Sequence, residues 1–171
     1  MLVNDLSLAQ ETVTKDLKGK NLIDIYCGVG TLSTFCAENF NTITLVEHNK
    51  YALQYAQDNI KNNCKNNVEC FTYSVSGETF VNLINKNKIQ VKEFDAAIID
   101  PPRNGMEKSI KEYLKKTKIP DLRCLSCDPV TQSRDLFFLV EAGYKIEELY
   151  LLDFYPQTSH IESLAILKYI K

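Results

Sequence analysis

The chain has 171 residues, of which 44% are hydrophobic and 25% charged, and its formal net charge at pH 7 is -2. These values predict one globular domain, and they exclude a disordered chain or a small fold that needs disulfides or metals for stability. No apolar run approaches the roughly 18 residues of a membrane span, and the first residues lack the basic start and apolar core of a signal peptide. We therefore expect a cytoplasmic protein that crosses no membrane.

Hydrophobic periodicity predicts helices and strands that alternate along the chain. In chain order these are a helix at residues 6–17, a strand at 22–26, a helix at 31–39, a strand at 42–47, a helix at 52–60, a strand at 68–73, a helix at 77–86, a strand at 94–100, a helix at 106–116, a strand at 122–127, a helix between Asp128 and Gly143, and two β-rich segments at about 145–153 and 162–170. Asp5 and Gly19 would bound the first helix, and the polar residues 61–67 would form a turn.

The alternation of strands and helices predicts an α/β fold with a parallel sheet. The last two β-rich segments follow each other without a helix, which predicts one antiparallel strand near the C-terminus of an otherwise parallel sheet. Ligands of such sheets bind beyond the carboxyl ends of the strands. We therefore expect the functional residues at the points where the predicted strands end.

A candidate cofactor site follows the first two predicted strands. Gly28 and Gly30 allow a tight turn close to a ligand, but Ser33 stands where a dinucleotide-binding loop has its third glycine. Glu47 ends the second strand, where a carboxylate can accept hydrogen bonds from ribose hydroxyls. This pattern favours a nucleoside cofactor without a pyrophosphate, such as S-adenosylmethionine, over a plain strand–helix turn with a surface acid. Tyr26 could contact the cofactor or be a core aromatic residue.

Three other strand ends carry residues suited to catalysis. Asp100 precedes two prolines, which stiffen the backbone and would hold its carboxylate in place. Cys127 directly precedes a predicted helix, and the positive end of the helix dipole favours a thiolate nucleophile there. Glu162 could be a general base if it is partly desolvated, and His160 could have the same role. The alternatives are a buried structural cysteine, solvated turn residues and, for His48 after Glu47, exposure to solvent.

Six cysteines in a chain without an export signal predict free thiols in a reducing compartment. Only Cys124 and Cys127 form a C-x-x-C pair, and Cys64 and Cys70 are spaced poorly for a second pair of zinc ligands. We therefore expect no metal site. A thiol-redox pair remains an alternative, although strand alternation points Cys124 to the face opposite Leu125, among buried neighbours.

Five segments of the chain occur in the order typical of the S-adenosylmethionine-dependent RNA uracil-5-methyltransferases. They are DIYCGVGTLS, LVE, DPPRNG, LSCDPVTQSRD and YPQTSHIESLAIL, and the chain resembles this family over residues 20–170. The resemblance implies a class I, Rossmann-like methyltransferase fold. It also implies transfer of a methyl group from S-adenosylmethionine to carbon 5 of a uridine in tRNA or rRNA, through a covalent cysteine adduct.

The same resemblance assigns roles to individual residues. It makes Cys127 the nucleophile and Glu162 the base. The positions that it places at the cofactor are Tyr26, Gly28, Gly30, Thr31, Glu47 and Asp100. Two residues depart from the family pattern: Thr31 stands where some members have Asn, and Asp128 stands where Asn usually follows the cysteine. Asp128 can still cap the helix, but its charge should oppose the thiolate.

Members of this family usually carry RNA-binding modules upstream of the catalytic domain, together with a cofactor-contacting Gln in a Phe-Gln segment. Gln10 does not lie in such a segment. We therefore expect residues 1–171 to be a single methyltransferase domain with a leading helix in residues 1–19, either a catalytic-domain fragment or a natural minimal form. The pI of 5.7 fits a domain that relies on another module to hold RNA.

Several alternatives remain open at the level of sequence. Arg103, Arg134 and the lysine-rich residues 106–118 could contact RNA, or they could be salt-bridged or solvated surface residues. The domain could catalyse a different methylation on the same fold, which would not need Cys127, or it could bind the cofactor without catalysis beside an RNA-binding partner. The sequence does not indicate an oligomeric state.

Overall fold

A computed structural model of the protein describes residues 2–3, 6–64, 68–153 and 161–170. The strands within these ranges are β1 (Leu2–Val3), β2 (Asn21–Ile25), β3 (Thr42–Val46), β4 (Glu69–Tyr73), β5 (Ala96–Ile99), β6 (Asp121–Ser126), β7 (Tyr144–Leu152) and β8 (Glu162–Tyr169). The helices are α1 (Leu6–Thr14), α2 (Thr31–Cys36), a 3-10 turn (Ala37–Asn39), α3 (Lys50–Asn63), α4 (Gly77–Asn85), α5 (Lys108–Thr117) and α6 (Pro129–Glu141).

The described strands form one sheet in the order β1-β7-β8-β6-β5-β2-β3-β4. β8 runs antiparallel to both of its neighbours, β6 and β7, whereas the other described pairs of neighbouring strands are parallel. The predicted α/β fold, with a mostly parallel sheet and one antiparallel strand near the C-terminus, is therefore confirmed. The short strand β1 was not predicted. No helix in the described part of the chain is long and apolar enough to span a membrane.

Helices cover both faces of the sheet, so the central strands are buried on both sides. Along β2, Leu22 faces the layer of α1, α2 and α3, and Ile23 and Ile25 face the layer of α4, α5 and α6. All three side chains are fully buried. Parallel strands buried in this way have continuous apolar sequences, and for this reason most of them could be located from composition alone.

Two predicted boundaries are wrong. Residues 61–63 belong to the last turn of α3 and not to a loop, and the Asn63 side-chain amide donates to the Asn59 carbonyl at 2.8 Å. α1 ends at Thr14, earlier than predicted, and Asp16 then adopts a positive φ of 56°. The Asn63 bond lies within α3, so the Asn-rich end of this helix does not interrupt it. Asp5, the predicted cap of α1, lies outside the described residues.

The topology brings several chain segments to one edge of the sheet. The parallel strands β2, β3, β5 and β6 all end there, because their carboxyl ends point the same way. β8 begins at this edge, because it runs in the opposite direction beside β6. Glu162, the first residue of β8, therefore lies at the same edge as the residues that follow the parallel strands.

Candidate active site

A cleft of about 460 Å³ opens at this edge of the sheet. Five residues singled out from the sequence line it together: Tyr26, Glu47, Asp100, Cys127 and Glu162. The other lining residues are Val46, His48, Val75, Ser76, Gly77, Pro101, Pro102 and Glu107. The cleft therefore collects one candidate residue after each of four parallel strands and a fifth from the start of β8.

The loop between β2 and α2 has an unusual backbone. Tyr26, Gly28 and Gly30 have positive φ values of 65°, 53° and 72°. A Cβ atom at Gly30 would lie 2.8 Å from the Cβ of Ala56 on α3, so glycine is needed there for packing as well as conformation. Gly28 has open space around it and needs only its conformational freedom. Thr31 is the exposed first residue of α2.

Backbone N–H groups orient the Glu47 carboxylate at the cleft. Its Oε2 accepts a hydrogen bond from Gly28 N at 3.2 Å, and its Oε1 accepts one from Asn49 N at 2.8 Å. The Nδ1 atom of His48 lies 3.0 Å from the same Oε1, while the His48 side chain is 81% exposed, as expected. A carboxylate has about four acceptor positions, so Glu47 can accept further bonds from a ligand in a fixed orientation.

Glu107 is a cleft residue that the sequence analysis missed. Its Oε2 accepts hydrogen bonds from the Tyr26 hydroxyl at 3.2 Å and from Glu78 N, in the first turn of α4, at 2.7 Å. A Cβ atom at Gly77 would lie 2.7 Å from this oxygen, so the contact requires glycine there. Burial raises the pKa of the Tyr26 phenol, which keeps the hydroxyl protonated as a donor. Glu107 has no motif position or spacing that would have revealed it.

Asp100 and Glu162 form a pair of carboxylates with altered acidity. Asp100 reaches solvent through the opening of the cleft, although protein atoms surround most of its carboxyl group. This burial, as the larger cause, and the charge of Glu162, as the smaller cause, raise the pKa of Asp100 to about 6. Burial also raises the pKa of Glu162. A positive charge bound nearby would favour the ionised form of both carboxylates.

The loop that follows Asp100 is attached to α6. The buried Asp135 carboxylate accepts a hydrogen bond from Met106 N at 2.6 Å and forms an ion pair with Lys111 at 2.8 Å. Arg134 donates to the Asn104 carbonyl at 2.9 Å and forms an ion pair with Asp135 at 3.1 Å. Arg134, a candidate RNA contact, is thus engaged in holding this loop, and α6 supports the position of both Asp100 and Cys127.

Cys127 is exposed, and it lies between the end of β6 and the start of α6. Asp128 is the predicted N-cap of α6: its Oδ1 accepts hydrogen bonds from Val130 N at 2.9 Å and Thr131 N at 3.1 Å. Cys124 is buried in the layer of α4, α5 and α6, and this burial raises the pKa of its thiol to about 12. All six cysteines are free. Cys127 is the exposed thiol of the cleft, whereas Cys124 packs in the core as predicted.

The strand register brings Cys127 and Glu162 together. Ser126 of β6 lies opposite Ser163 of β8 in the last pair of this ladder. Cys127 follows Ser126 and Glu162 precedes Ser163, so these two residues lie one position further along, and both line the cleft. A thiol and a carboxylate are therefore neighbours. His160, the other candidate base, lies outside the described residues.

The lining of the cleft is acidic. It contains Glu47, Asp100, Glu107 and Glu162, and neither lysine nor arginine is found among its described residues. Such a surface suits a ligand with a positive charge and would repel phosphate groups. Among the residues that the structure describes, no group of three or more His, Cys, Asp or Glu side chains could hold a metal ion.

Comparison with known proteins gives concordant matches. The family model described as tRNA (Uracil-5-)-methyltransferase matches residues 3–170. A Treponema denticola protein, described as an uncharacterized RNA methyltransferase, is 38% identical over an alignment of 159 residues that covers 86% of this chain and 38% of that protein. The chain therefore spans well under half the length of this relative.

Solved structures share the fold. The structure of the Pyrococcus abyssi tRNA (uracil-54, C5)-methyltransferase in complex with S-adenosyl-L-homocysteine matches with a TM-score of 0.76 and 29% identity, over 94% of this chain and 37% of that one. M. capricolum TrmK, in complex with S-adenosyl-homocysteine, matches with a TM-score of 0.69 and 19% identity, over 97% of this chain and 70% of that one. This second likeness concerns the fold alone.

Proposed function

Because the chain belongs to the tRNA (uracil-5-)-methyltransferase family, we propose that it transfers a methyl group from S-adenosylmethionine to carbon 5 of a uridine in tRNA or rRNA. The observation that carries this proposal is the juxtaposition of Cys127 and Glu162 at the end of the β6–β8 ladder, inside an acidic cleft. Methyl transfer to a carbon atom of uracil needs both groups, whereas methylation of a nitrogen atom needs no cysteine.

The cleft suits S-adenosylmethionine on chemical grounds. The cofactor carries a positively charged sulfonium, and four carboxylates without a lysine or arginine line the cleft. Glu47, held by Gly28 N and Asn49 N, would accept hydrogen bonds from the ribose hydroxyls. Tyr26 and Asp100 would contact the rest of the cofactor, and Gly28, Gly30 and Thr31 would shape the adjoining loop.

Cys127 would begin the reaction by covalent catalysis. Carbon 5 of uracil is a weak nucleophile, so its electron density must first be raised. The Cys127 thiolate would form a bond to carbon 6, and the displaced electron pair would make the ring an enolate that is nucleophilic at carbon 5. Bound S-adenosylmethionine supplies an electrophilic methyl group for this carbon. Cys127 is exposed and lines the cleft directly before α6, where a uracil base could reach its sulfur.

Glu162 would complete the reaction as the base. It would take the proton from the methylated carbon 5, and the electron pair of that C–H bond would re-form the double bond between carbons 5 and 6. The bond between carbon 6 and the Cys127 sulfur would break in the same elimination, which restores the thiolate. Partial burial of Glu162 raises its pKa and so makes it a stronger base than a solvated carboxylate.

The RNA would enter the cleft only as a single base. The target uridine must be unpaired or flipped out of its stack to reach Cys127. Its phosphates would stay outside the acidic cleft, near exposed cations such as Arg103 and Lys108. We also propose that residues 1–171 form one methyltransferase domain and that a further RNA-binding module contributes to substrate affinity.

An RNA that contains 5-fluorouridine tests the proposed chemistry. Fluorine at carbon 5 cannot leave as a proton, so the elimination stops and the protein should remain covalently bound to the RNA in the presence of S-adenosylmethionine. We expect mass spectrometry to find the RNA on Cys127, no adduct with Cys127→Ala, and a normal adduct with Cys64→Ala, a control at a half-buried cysteine at the end of α3. An adduct that survives Cys127→Ala would contradict the assigned nucleophile.

A further inference from the structure

A buried glutamine on α6 connects the two strands that carry the proposed catalytic pair. Gln132 is 5% exposed. Its Nε2 donates to the Cys124 carbonyl at 2.9 Å and to the Ser163 carbonyl at 3.2 Å, and its Oε1 accepts from the Ser163 hydroxyl at 2.6 Å. One side chain thus bonds to both β6 and β8.

Helix packing alone does not require a polar residue at this position. Other buried residues of α6 include Leu136 and Leu139, which pack between this helix and the sheet in the layer of α4, α5 and α6. Burying an amide costs free energy unless its polar atoms are hydrogen-bonded. Here the Gln132 amide is bonded through both Nε2 and Oε1, so its polar cost is offset by bonds that fix two strands relative to each other.

These bonds lie next to the proposed catalytic residues. Ser163 directly follows Glu162, and its hydroxyl also lies 3.4 Å from the Ser126 carbonyl, one residue before Cys127. The β6–β8 ladder ends at the pair formed by Ser126 and Ser163. The Gln132 side chain therefore ties the strands together at the last point where they are paired, directly behind the catalytic pair.

We propose that Gln132, through Ser163, is a positioning residue that fixes the separation of the Cys127 sulfur and the Glu162 carboxylate. The proposal deepens the function proposed above, and its catalytic meaning rests on that function. Cys127 has its own anchor in the Asp128 cap of α6, whereas the bonds of Gln132 reach the residue next to Glu162. Loss of Gln132 should therefore displace Glu162 more than Cys127.

A disulfide can measure this separation without RNA or cofactor. In the Glu162→Cys variant, the introduced thiol lies across from Cys127, and neighbours on antiparallel strands have Cα separations of about 4.5–5.5 Å, which a disulfide can span. Oxidised glutathione would take up two electrons as the two thiols join, and it would be released as two molecules of reduced glutathione. The equilibrium constant of this exchange between the protein dithiol and glutathione gives the effective concentration of the Cys127 thiol at the introduced thiol.

Adding Gln132→Met to this variant should lower the effective concentration about tenfold, since about 1.4 kcal/mol corresponds to such a factor and three hydrogen bonds are lost. Ser163→Ala, which keeps the amide of Gln132, should give a smaller fall in the same direction and replaces Gln132→Met if that variant does not fold. Tyr144→Phe is the matched control, because it removes a buried hydrogen bond of 3.2 Å from the Tyr144 hydroxyl to the Leu114 carbonyl. Tyr144 pairs with Tyr169, at the end of β8 far from Glu162.

An unchanged effective concentration in both Gln132→Met and Ser163→Ala would overturn the proposal, as would an equal fall in Tyr144→Phe.

Kinetic measurements then test the catalytic role of Gln132 in the chain that keeps Glu162. Gln132→Met should slow tritium release from RNA with 5-tritiated uridine about tenfold, while adduct formation with 5-fluorouridine RNA stays within about twofold. An equal loss in both assays would reject selective positioning of Glu162. If the unsubstituted chain binds both S-adenosylmethionine and the 5-fluorouridine RNA but forms no adduct, the proposed function is rejected, and the disulfide result stands as its own measurement.

Discussion

Two cavities of similar size lie at opposite edges of the same sheet. The acidic cleft at the carboxyl ends has a volume of about 460 Å³, and a cavity at the amino ends of β5 and β6 has about 520 Å³. The second cavity is lined by Ile84, Asn85, Val91, Lys92, Glu93, Phe94, Asp95, Tyr113, Lys116, Thr117, Lys118, Ile119 and Pro120. It is the larger of the two, so volume alone does not identify the functional site.

The two cavities differ in the charge of their linings: among the described residues, four carboxylates and neither lysine nor arginine line the acidic cleft, whereas three lysines and two carboxylates line the amino-end cavity. In the acidic cleft, backbone N–H groups hold Glu47 and Glu107 at distances of 2.7–3.2 Å. At the amino-end cavity, Asp95 is held in the same way, by Lys20 N at 2.7 Å and Asn21 N at 2.8 Å. Lys92 and Glu93 are exposed there, and the Lys92 ammonium pairs with a side chain that is itself 59% exposed. Carboxylates held by backbone N–H groups therefore occur in both cavities. The acidic cleft differs because its fixed carboxylates converge with a single sign of charge, which suits a positively charged ligand.

The largest expected difference between the two cavities concerns the reaction rate after a carboxylate is removed from each. The Glu162→Gln variant keeps the size of the side chain but cannot accept the carbon 5 proton. We expect the rate of tritium release from 5-tritiated uridine in RNA to fall by about 10²–10⁴-fold, the usual contribution of a general base. S-adenosylmethionine affinity, measured by calorimetry, should change much less.

Glu93→Gln is the matched control, since it removes a carboxylate from the amino-end cavity. It should leave the rate of tritium release unchanged. A comparable loss of rate in Glu93→Gln, or an unchanged rate in Glu162→Gln, would contradict the proposal that the acidic cleft is the catalytic site.

The next largest expected difference between the two cavities concerns the affinity for S-adenosylmethionine. Glu47→Ala removes a carboxylate that both orients the Gly28 loop and would bond to the cofactor ribose. Hydrogen bonds to a charged group contribute about 1.5–3 kcal/mol, so the dissociation constant for S-adenosylmethionine in calorimetry should rise about 10- to 100-fold. Glu93→Ala should not change it. Equal affinities for Glu47→Ala and the unsubstituted chain would remove the ribose assignment.

The residues that could be predicted are those at strand ends. Glu47, Asp100 and Cys127 each follow an apolar run, and the parallel topology alone brings such positions to one edge. Glu162 needed one further inference, that the last strand is antiparallel. Their identification depended on local patterns that the sequence displays directly, and their roles remain predictions.

The supporting residues could not be predicted in this way. Glu107, Gln132 and Asp135 acquire their positions from the packing of α4, α5 and α6 against the strands. Their bonds to other elements join residues that are 8 to 81 positions apart, and a helix of ordinary composition does not indicate which polar side chain turns inward. Periodicity locates the helix, but tertiary packing decides its hydrogen bonds.

The smallest expected effect concerns the charge of the cleft and its dependence on pH. Because the pKa of Asp100 is raised to about 6, its carboxyl is mainly neutral below that pH and negative above it. S-adenosylmethionine carries a sulfonium charge that S-adenosylhomocysteine lacks. Between about pH 5 and pH 7.5, calorimetry should show the affinity for the first ligand rising about five- to tenfold, since a charge pair near a protein surface contributes on the order of 1 kcal/mol or more.

The comparison of the two ligands isolates the charge, because they differ only in the methyl group and the sulfonium that carries it. S-adenosylhomocysteine should gain less affinity over the same pH range, and Asp100→Asn should reduce the gain for S-adenosylmethionine. The Glu162 carboxylate also faces the cleft and has a raised pKa, so Glu162→Gln should remove part of the remaining slope. Equal pH slopes for the two ligands would mean that the carboxylates of the cleft do not bind the sulfonium, and the acidic lining would then need another explanation.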